Sequence, residues 1–175
     1  ILLQPGLLKI FEAANVSHII SPYDIKSEHI TKVFETKFSE DQKVNVYEIE
    51  SQQAAYFFVE NYNFVQLPSE LVKKITNENF DPSKEVVIEK DIKLNLGPVT
   101  NTKVVPTLTE DTKKEFMLNT DANAIFVISQ SFYPGWKAYI DTMSTPIYTV
   151  NLTQQGLLVP KGEQTVKLRF ESTSF

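Results

Sequence analysis

Ala124-Ile125-Phe126-Val127-Ile128, running on into Ser129-Gln130-Ser131, is the stretch that decides how this chain folds. It is an unbroken apolar run, rich in β-branched residues and too short for a buried helix, so it reads as a central strand covered on both faces. Strict alternation follows downstream. Trp136, Ala138 and Ile140 share one face against Lys137, Tyr139 and Asp141, and Val166, Leu168 and Phe170 share another against Thr165, Lys167 and Arg169. Upstream, Ile92, Leu94 and Leu96 alternate with Lys93 and Asn95. Period-two burial marks antiparallel sheet with one solvated face. From Val86 onward strands of about five to eight residues recur roughly every ten, separated by turn residues, which is the rhythm of a sandwich.

The chain before this point has a different character. Pro5 fits the first position of a helix carrying Leu7, Phe11 and Ala14, with Leu8 and Ile10 beside them, and Asn15 suits its stop. Strands are expected over Val16–Ser21, Lys32–Phe38, Lys43–Ile49 and Ala54–Val59, with a polar turn Ser39-Glu40-Asp41-Gln42. A second helix is expected over Leu67–Ile75, with Glu70 in its first turn and Lys73 and Lys74 near its negative end. The Asn-, Asp-, Pro- and Ser-rich stretch 77–84 suggests a boundary. The expected organisation is a small α+β portion over 1–80 and an antiparallel β-sandwich of jelly-roll type over 84–175, mostly β overall.

Composition removes whole classes of function. Seventeen Lys and Arg against 22 Asp and Glu give a net charge of -5, and only Arg169 is an arginine. A phosphate-driven nucleic-acid binder carries a basic excess, so no nucleic acid is expected. With no cysteine, disulfides, cysteine nucleophiles and thiolate metal sites drop out. Two histidines eleven positions apart, His18 and His29, offer no ligand spacing. We expect no metal and no cofactor. No apolar run reaches the length of a membrane span. The chain starts at Ile1 and stops at Phe175 within an extended pattern, as an excised piece would.

Four residues stand out as ligand-binding candidates: Tyr133, Trp136, Tyr139 and Asp141. Tyr133-Pro134-Gly135-Trp136 is a turn in which Pro134 presets φ and Gly135 supplies the positive φ of a type II turn. Its rings could form a sugar-stacking platform, but Trp136 falls on the apolar alternation and so reads first as core. Asp141, Glu48 and Glu50 could be imagined as a glycosidase pair, but nothing in the sequence brings them together. Ser129 and Ser131 with His18 and Asp24 lack a nucleophile elbow. His18, in an apolar strand, reads as packed. Asn15-Val16-Ser17 and Asn151-Leu152-Thr153 match the glycosylation sequon by composition alone. Tyr56, Phe57 and Phe58 are adjacent, so at least one ring packs outside the main core, where it could mark a contact site.

The order of these signals resembles a known family. Ala124 to Ser131, the Tyr133–Trp136 turn, Asp141, Pro146-Ile147, Gly156, Val159-Pro160-Lys161-Gly162 and the strand Gln164–Phe170 together resemble the C-terminal extracytoplasmic region of YfhO-type bacterial multi-pass membrane proteins. The strands around Asn15–Ser21, Val46-Tyr47-Glu48 and Ala55–Phe57 follow in the same order. The chain departs from that family at the hairpin after the tryptophan strand, where Asp141 is followed by Thr142 and not glycine, so a longer turn is expected. It also has Ala54 where relatives carry arginine. The resemblance implies a jelly-roll, galactose-binding-like sandwich on the extracytoplasmic face of the cell membrane, in a protein grouped with GT-C-like glycosyltransferases that use lipid-linked sugars. It implies no catalytic residue in this region. The domain would position acceptor glycan of the cell envelope or brace its own transmembrane bundle. A carbohydrate-binding sandwich module is the alternative, and an exposed pair among Tyr133, Trp136, Tyr139 and Tyr148 would favour it.

Overall fold

The computed structural model describes residues 2–39, 42–50, 53–90, 92 and 95–172. Its elements are α1 (Pro5–Ala13), β1 (His18–Ser21), β2 (Ile30–Lys37), β3 (Lys43–Ile49), β4 (Tyr56–Val59), β5 (Asn61–Phe64), α2 (Pro68–Ile75) and β6 (Glu85–Ile88). Then come β7 (Thr102–Thr109), β8 (Lys113–Thr120), β9 (Ala124–Ser131), β10 (Trp136–Ile140), β11 (Met143–Thr145), β12 (Tyr148–Val150), β13 (Gln154–Val159) and β14 (Gly162–Phe170). The fold is α+β and mostly β, a sandwich whose sheets are antiparallel except for the parallel pair β5–β6, preceded by a small α+β portion.

A five-stranded sheet, β11-β10-β14-β8-β7, faces a six-stranded one, β4-β9-β13-β12-β6-β5. The pair β8–β14 lies in the first sheet and the pair β9–β13, nested inside it in sequence, lies in the second. A long hairpin rolled in this way across two layers is the jelly-roll arrangement. Phe116, Leu118, Val166 and Leu168 from one layer meet Phe126, Ile128, Leu157 and Val159 from the other. Each such side chain contributes about 1.5–3 kcal/mol by leaving water.

The six-stranded sheet draws on both sides of residues 77–84: β4 and β5 precede them, and β6, β9, β12 and β13 follow. Only Glu60 separates β4 from β5, yet these strands are its two opposite edges. One intervening residue lets the flanking Cα atoms stand at most about 7 Å apart. The sheet therefore curls until its edges meet. Val59, Val86, Ile88, Ile125, Val127 and Val150 fill the interior of that curl, with Phe57, Ile92 and Leu96 packed against them. Gly156 lines this interior, where a Cβ would come within 2.7 Å of Val150 Cγ1.

Outside the curl, Val65, Val87 and Phe80 pack against Leu71 and Ile75 of α2 and Ala13 of α1. Glu70 accepts the Leu67 and Gln66 N–H groups at the start of α2, at 3.3 and 3.1 Å. On its other side α1 presents Leu8 to Ile30, Tyr47 and Ile49 of a three-stranded antiparallel sheet, β1-β3-β2. Asn15, at φ 56, ends α1: Val16 N–H reaches Phe11 O at 2.9 Å and Asn15 N–H reaches Glu12 O at 3.0 Å, the paired bonds of a Schellman stop.

Four expectations need correction. Leu7 is exposed; the buried side of α1 carries Leu8 and Ala13, because the helix is clamped between α2 and the small sheet. Ile92, Asn95 and Leu96 belong to no strand: Ile92 and Leu96 pack as an irregular cover, while Lys93 and Leu94 lie outside the described residues. β5 was not expected at all. Finally, Ile140 pairs with Met143, so the β10–β11 connection is the two-residue Asp141-Thr142 and not a longer turn. Asp141 takes φ 54 there, and its bonds to Thr165 hold it. The expected turn residues Glu40 and Asp41 lie outside the described residues.

Candidate functional site

The Tyr133–Trp136 turn is closed by Trp136 N–H donating to Tyr133 O at 3.3 Å, with Gly135 at φ 116. A Cβ on Gly135 would stand 2.9 Å from both Glu171 O and Phe170 Cε2, so this position needs glycine twice over. Trp136 is only 9% exposed and sits in the sandwich core, its ring edge-on to Phe170 at 5.6 Å. Tyr133 is 65% exposed and tilts over the same Phe170. Tyr139 is half-buried on the outer face of the five-stranded sheet, and Tyr148 is half-buried against the curled interior. The four rings do not form one exposed platform.

Asp141 closes its strand from both directions: its N–H donates to Thr165 O at 2.7 Å, and its Oδ1 accepts Thr165 N–H at 2.9 Å. It also sits at the head of a groove. Register places Thr165 opposite Met117 and Met117 opposite Val105, a row across three strands that Asp141, bonded to Thr165 from the turn after β10, extends. The next row is Glu163, Asn119 and Lys103. Together these outward side chains line a cavity of about 300 Å³.

The imagined catalytic sets are not assembled. Glu48 and Glu50 lie at the end of β3, in a different sheet from Asp141, and Glu50 accepts the Thr31 hydroxyl at 3.4 Å. Ser129 accepts the Gln154 amide at 3.3 Å. His18 is exposed, contrary to its expected packing, with Nδ1 3.0 Å from Ser17 Oγ. It sits on an edge strand whose inward positions are Ile19 and Ser21. Asp24 instead accepts Lys32 Nζ at 2.7 Å and Lys43 Nζ at 2.5 Å, and these hydrogen bonds hold its carboxyl down at about 2. Among the described residues no group of three or more His, Asp or Glu could hold a metal ion.

No family model, curated protein or solved structure matches this chain. Function must therefore be read from its surfaces. Tyr56 and Phe58 pack into the sandwich core and Phe57 into the curled interior, so neighbouring rings serve opposite faces of one sheet and leave no contact patch there.

The apolar patch lies elsewhere. On the three-stranded sheet Ile20 pairs with Val46 and Val46 with Phe34, one cross-strand row on the face away from α1. Ile20 is 73% and Phe34 57% exposed, and Tyr23, Val33 and Phe38 are exposed nearby. The loop bearing Tyr23 is pinned from below: Tyr47 Oη accepts Ile25 N–H at 2.9 Å and donates to Tyr23 O at 3.3 Å, while Asn45 Nδ2 donates to the same carbonyl. β3 carried a signal for this face, since Val44 and Val46 are apolar on the parity opposite Tyr47 and Ile49.

The second sequon is explained by packing. Asn151 is buried, at φ 48; its N–H donates to Val87 O at 3.0 Å and its Oδ1 accepts Val87 N–H at 2.9 Å. Its side chain thus stands in for a backbone acceptor and extends the pairing of β12 with β6 beyond the single register pair Val150 and Ile88.

Proposed function

We propose that this chain is a non-catalytic, extracytoplasmic domain of a bacterial membrane protein resembling the YfhO type, braced against its own membrane bundle. The observation that carries this reading is the Ile20–Val46–Phe34 row. An antiparallel sheet with one open face normally turns polar residues to water, and a contiguous exposed apolar patch marks a contact site. The bundle of the full protein is the partner: apolar, and linked to this domain in one polypeptide. Among the described residues no helix is long and apolar enough to cross a membrane, so any such bundle is supplied by the rest of that polypeptide. Asp141, on the five-stranded sheet, stands apart from Glu48 and Glu50 on the three-stranded one, and Ser129, on the six-stranded sheet, stands apart from His18 and Asp24, which favours a supporting role over chemistry.

This chain has no cysteine, so single-cysteine variants test the reading in the full-length protein once any cysteine elsewhere in it is replaced. Phe34→Cys and Lys161→Cys variants are exposed to a membrane-impermeant maleimide on intact cells. The expected result is rapid labelling at Lys161→Cys and protection at Phe34→Cys until detergent separates the contact. Labelling of Lys161→Cys only after lysis would refute the extracytoplasmic placement. Equal labelling of both in intact cells would refute the brace.

A further inference from the structure

The outer face of the five-stranded sheet carries a second surface whose chemistry is unlike that of the apolar row. Its groove has a floor of Met117, Val105 and Thr165 and polar walls of Lys103, Asn119, Glu163 and Asp141. Among the described residues, the side chains of Lys103, Asn119 and Glu163 have no hydrogen bond or ion pair. Two outward rows further along β14 and β8 the charges do pair, Lys167 with Glu115 at 3.8 Å. In the groove the cation and the carboxylate are instead two strands apart with Asn119 between them, about 10 Å from one backbone to the other. Asp141 is fixed by Thr165 through one oxygen only.

The ligand class follows from what these groups can and cannot satisfy. Two carboxylates at one end repel a phosphate or another anion. An apolar guest would leave four polar walls desolvated without partners. A cation alone would leave Lys103 and the amide donors of Asn119 unused. A neutral ring that carries hydroxyls around its rim and C–H bonds on its face meets every requirement. Its hydroxyls donate to Glu163 and Asp141 and accept from Lys103 and Asn119, while its C–H face lies on Met117, which is 59% exposed. We propose that this groove is a saccharide-binding site for one sugar ring. The site does not depend on the bracing role: a domain seated on its bundle by the three-stranded sheet leaves the groove, on a different sheet, open.

The test is amide shift mapping of the ¹⁵N-labelled chain, titrated separately with methyl α-glucoside, methyl β-galactoside and N-acetylglucosamine. With at least one probe, saturable shifts are expected at residues 103–105, 117–119, 141 and 163–165, and not around Tyr133. Asn119→Ala and Glu163→Gln should each weaken that binding about tenfold, the worth of one hydrogen bond to a charged or amide partner. Both positions are exposed and Glu163→Gln preserves shape, so an unchanged thermal midpoint confirms the fold. No saturable shift with any of the three sugars overturns the proposal. So do shifts centred on Tyr133 and Phe170, or binding that neither variant weakens. Each of these outcomes leaves the cysteine-protection result for the brace untouched.

Discussion

The three-stranded and six-stranded sheets are both rich in Val, Ile, Tyr and Phe, but one is covered on a single face and the other on both. In the six-stranded sheet every parity of β9 finds a partner: Phe126 and Ile128 in the sandwich, Ile125 and Val127 in the curl. In the small sheet the inward parity meets α1 through Tyr47 and Ile49, and the outward parity of Ile20, Val46 and Phe34 meets nothing among the described residues. The same side-chain types do different work on the two sheets. Apolar character identifies strands, whereas the covering layer decides whether a residue serves stability or contact.

Truncation separates the two roles most sharply. Phe126→Ala should cost about 3–5 kcal/mol, because Phe116 and Phe58 would be left facing a cavity. Denaturant unfolding followed by Trp136 fluorescence measures it. Gly156→Ala should follow at about 1–3 kcal/mol, since the new methyl must displace Val150 inside a closed curl. Phe34→Ser should leave the stability of the isolated chain within about 0.5 kcal/mol while weakening the proposed contact with a membrane bundle. A loss comparable to that of Phe126→Ala would mean the row is core and not a contact surface.

The smallest effect concerns the loop beside that row. A carboxyl depressed on folding adds stability above its ordinary value, near 3.8, and gives it up as pH falls through about 2. Asp24, held down by Lys32 and Lys43, should therefore titrate near 2, and Lys43→Met should move its midpoint upward, as read by carboxyl ¹³C shifts. Because these charges are exposed, the change in unfolding stability should be slight. A midpoint unmoved by Lys43→Met would show that the lysine does not hold the loop in solution.

Strands whose partners declare themselves by local pattern were readable in the sequence. Ala124–Ile128 and the alternating runs at Trp136–Ile140 and Gln164–Phe170 stand where period-two burial puts them. β5 was not, because Asn61-Tyr62-Asn63-Phe64 alternates over only four residues and follows β4 after a single residue with no turn signal; its parallel pairing with β6 makes it a strand. The Asp141-Thr142 hairpin was missed for a related reason: the left-handed residue is stabilised by Thr165, twenty-four positions away. The groove proposed to hold a sugar gathers residues 103, 119 and 163 from three strands and 141 from a turn, and no local window contains two of its walls. Asp141 was singled out for its place at a strand end, and its neighbours there come only from register.

The single-residue link at Glu60 also governs how the chain is made. Both rims of the curl leave the ribosome together, but the strand that pairs with Tyr56–Val59 is Ala124–Ser131, and β13 and β12 must arrive before the ring can shut. At translation rates of about 5–20 residues per second, the Tyr-Phe-Phe-Val segment waits for seconds with its edge unpaired. During that interval the nascent chain presents an unpaired apolar strand edge, the kind of surface a chaperone holds.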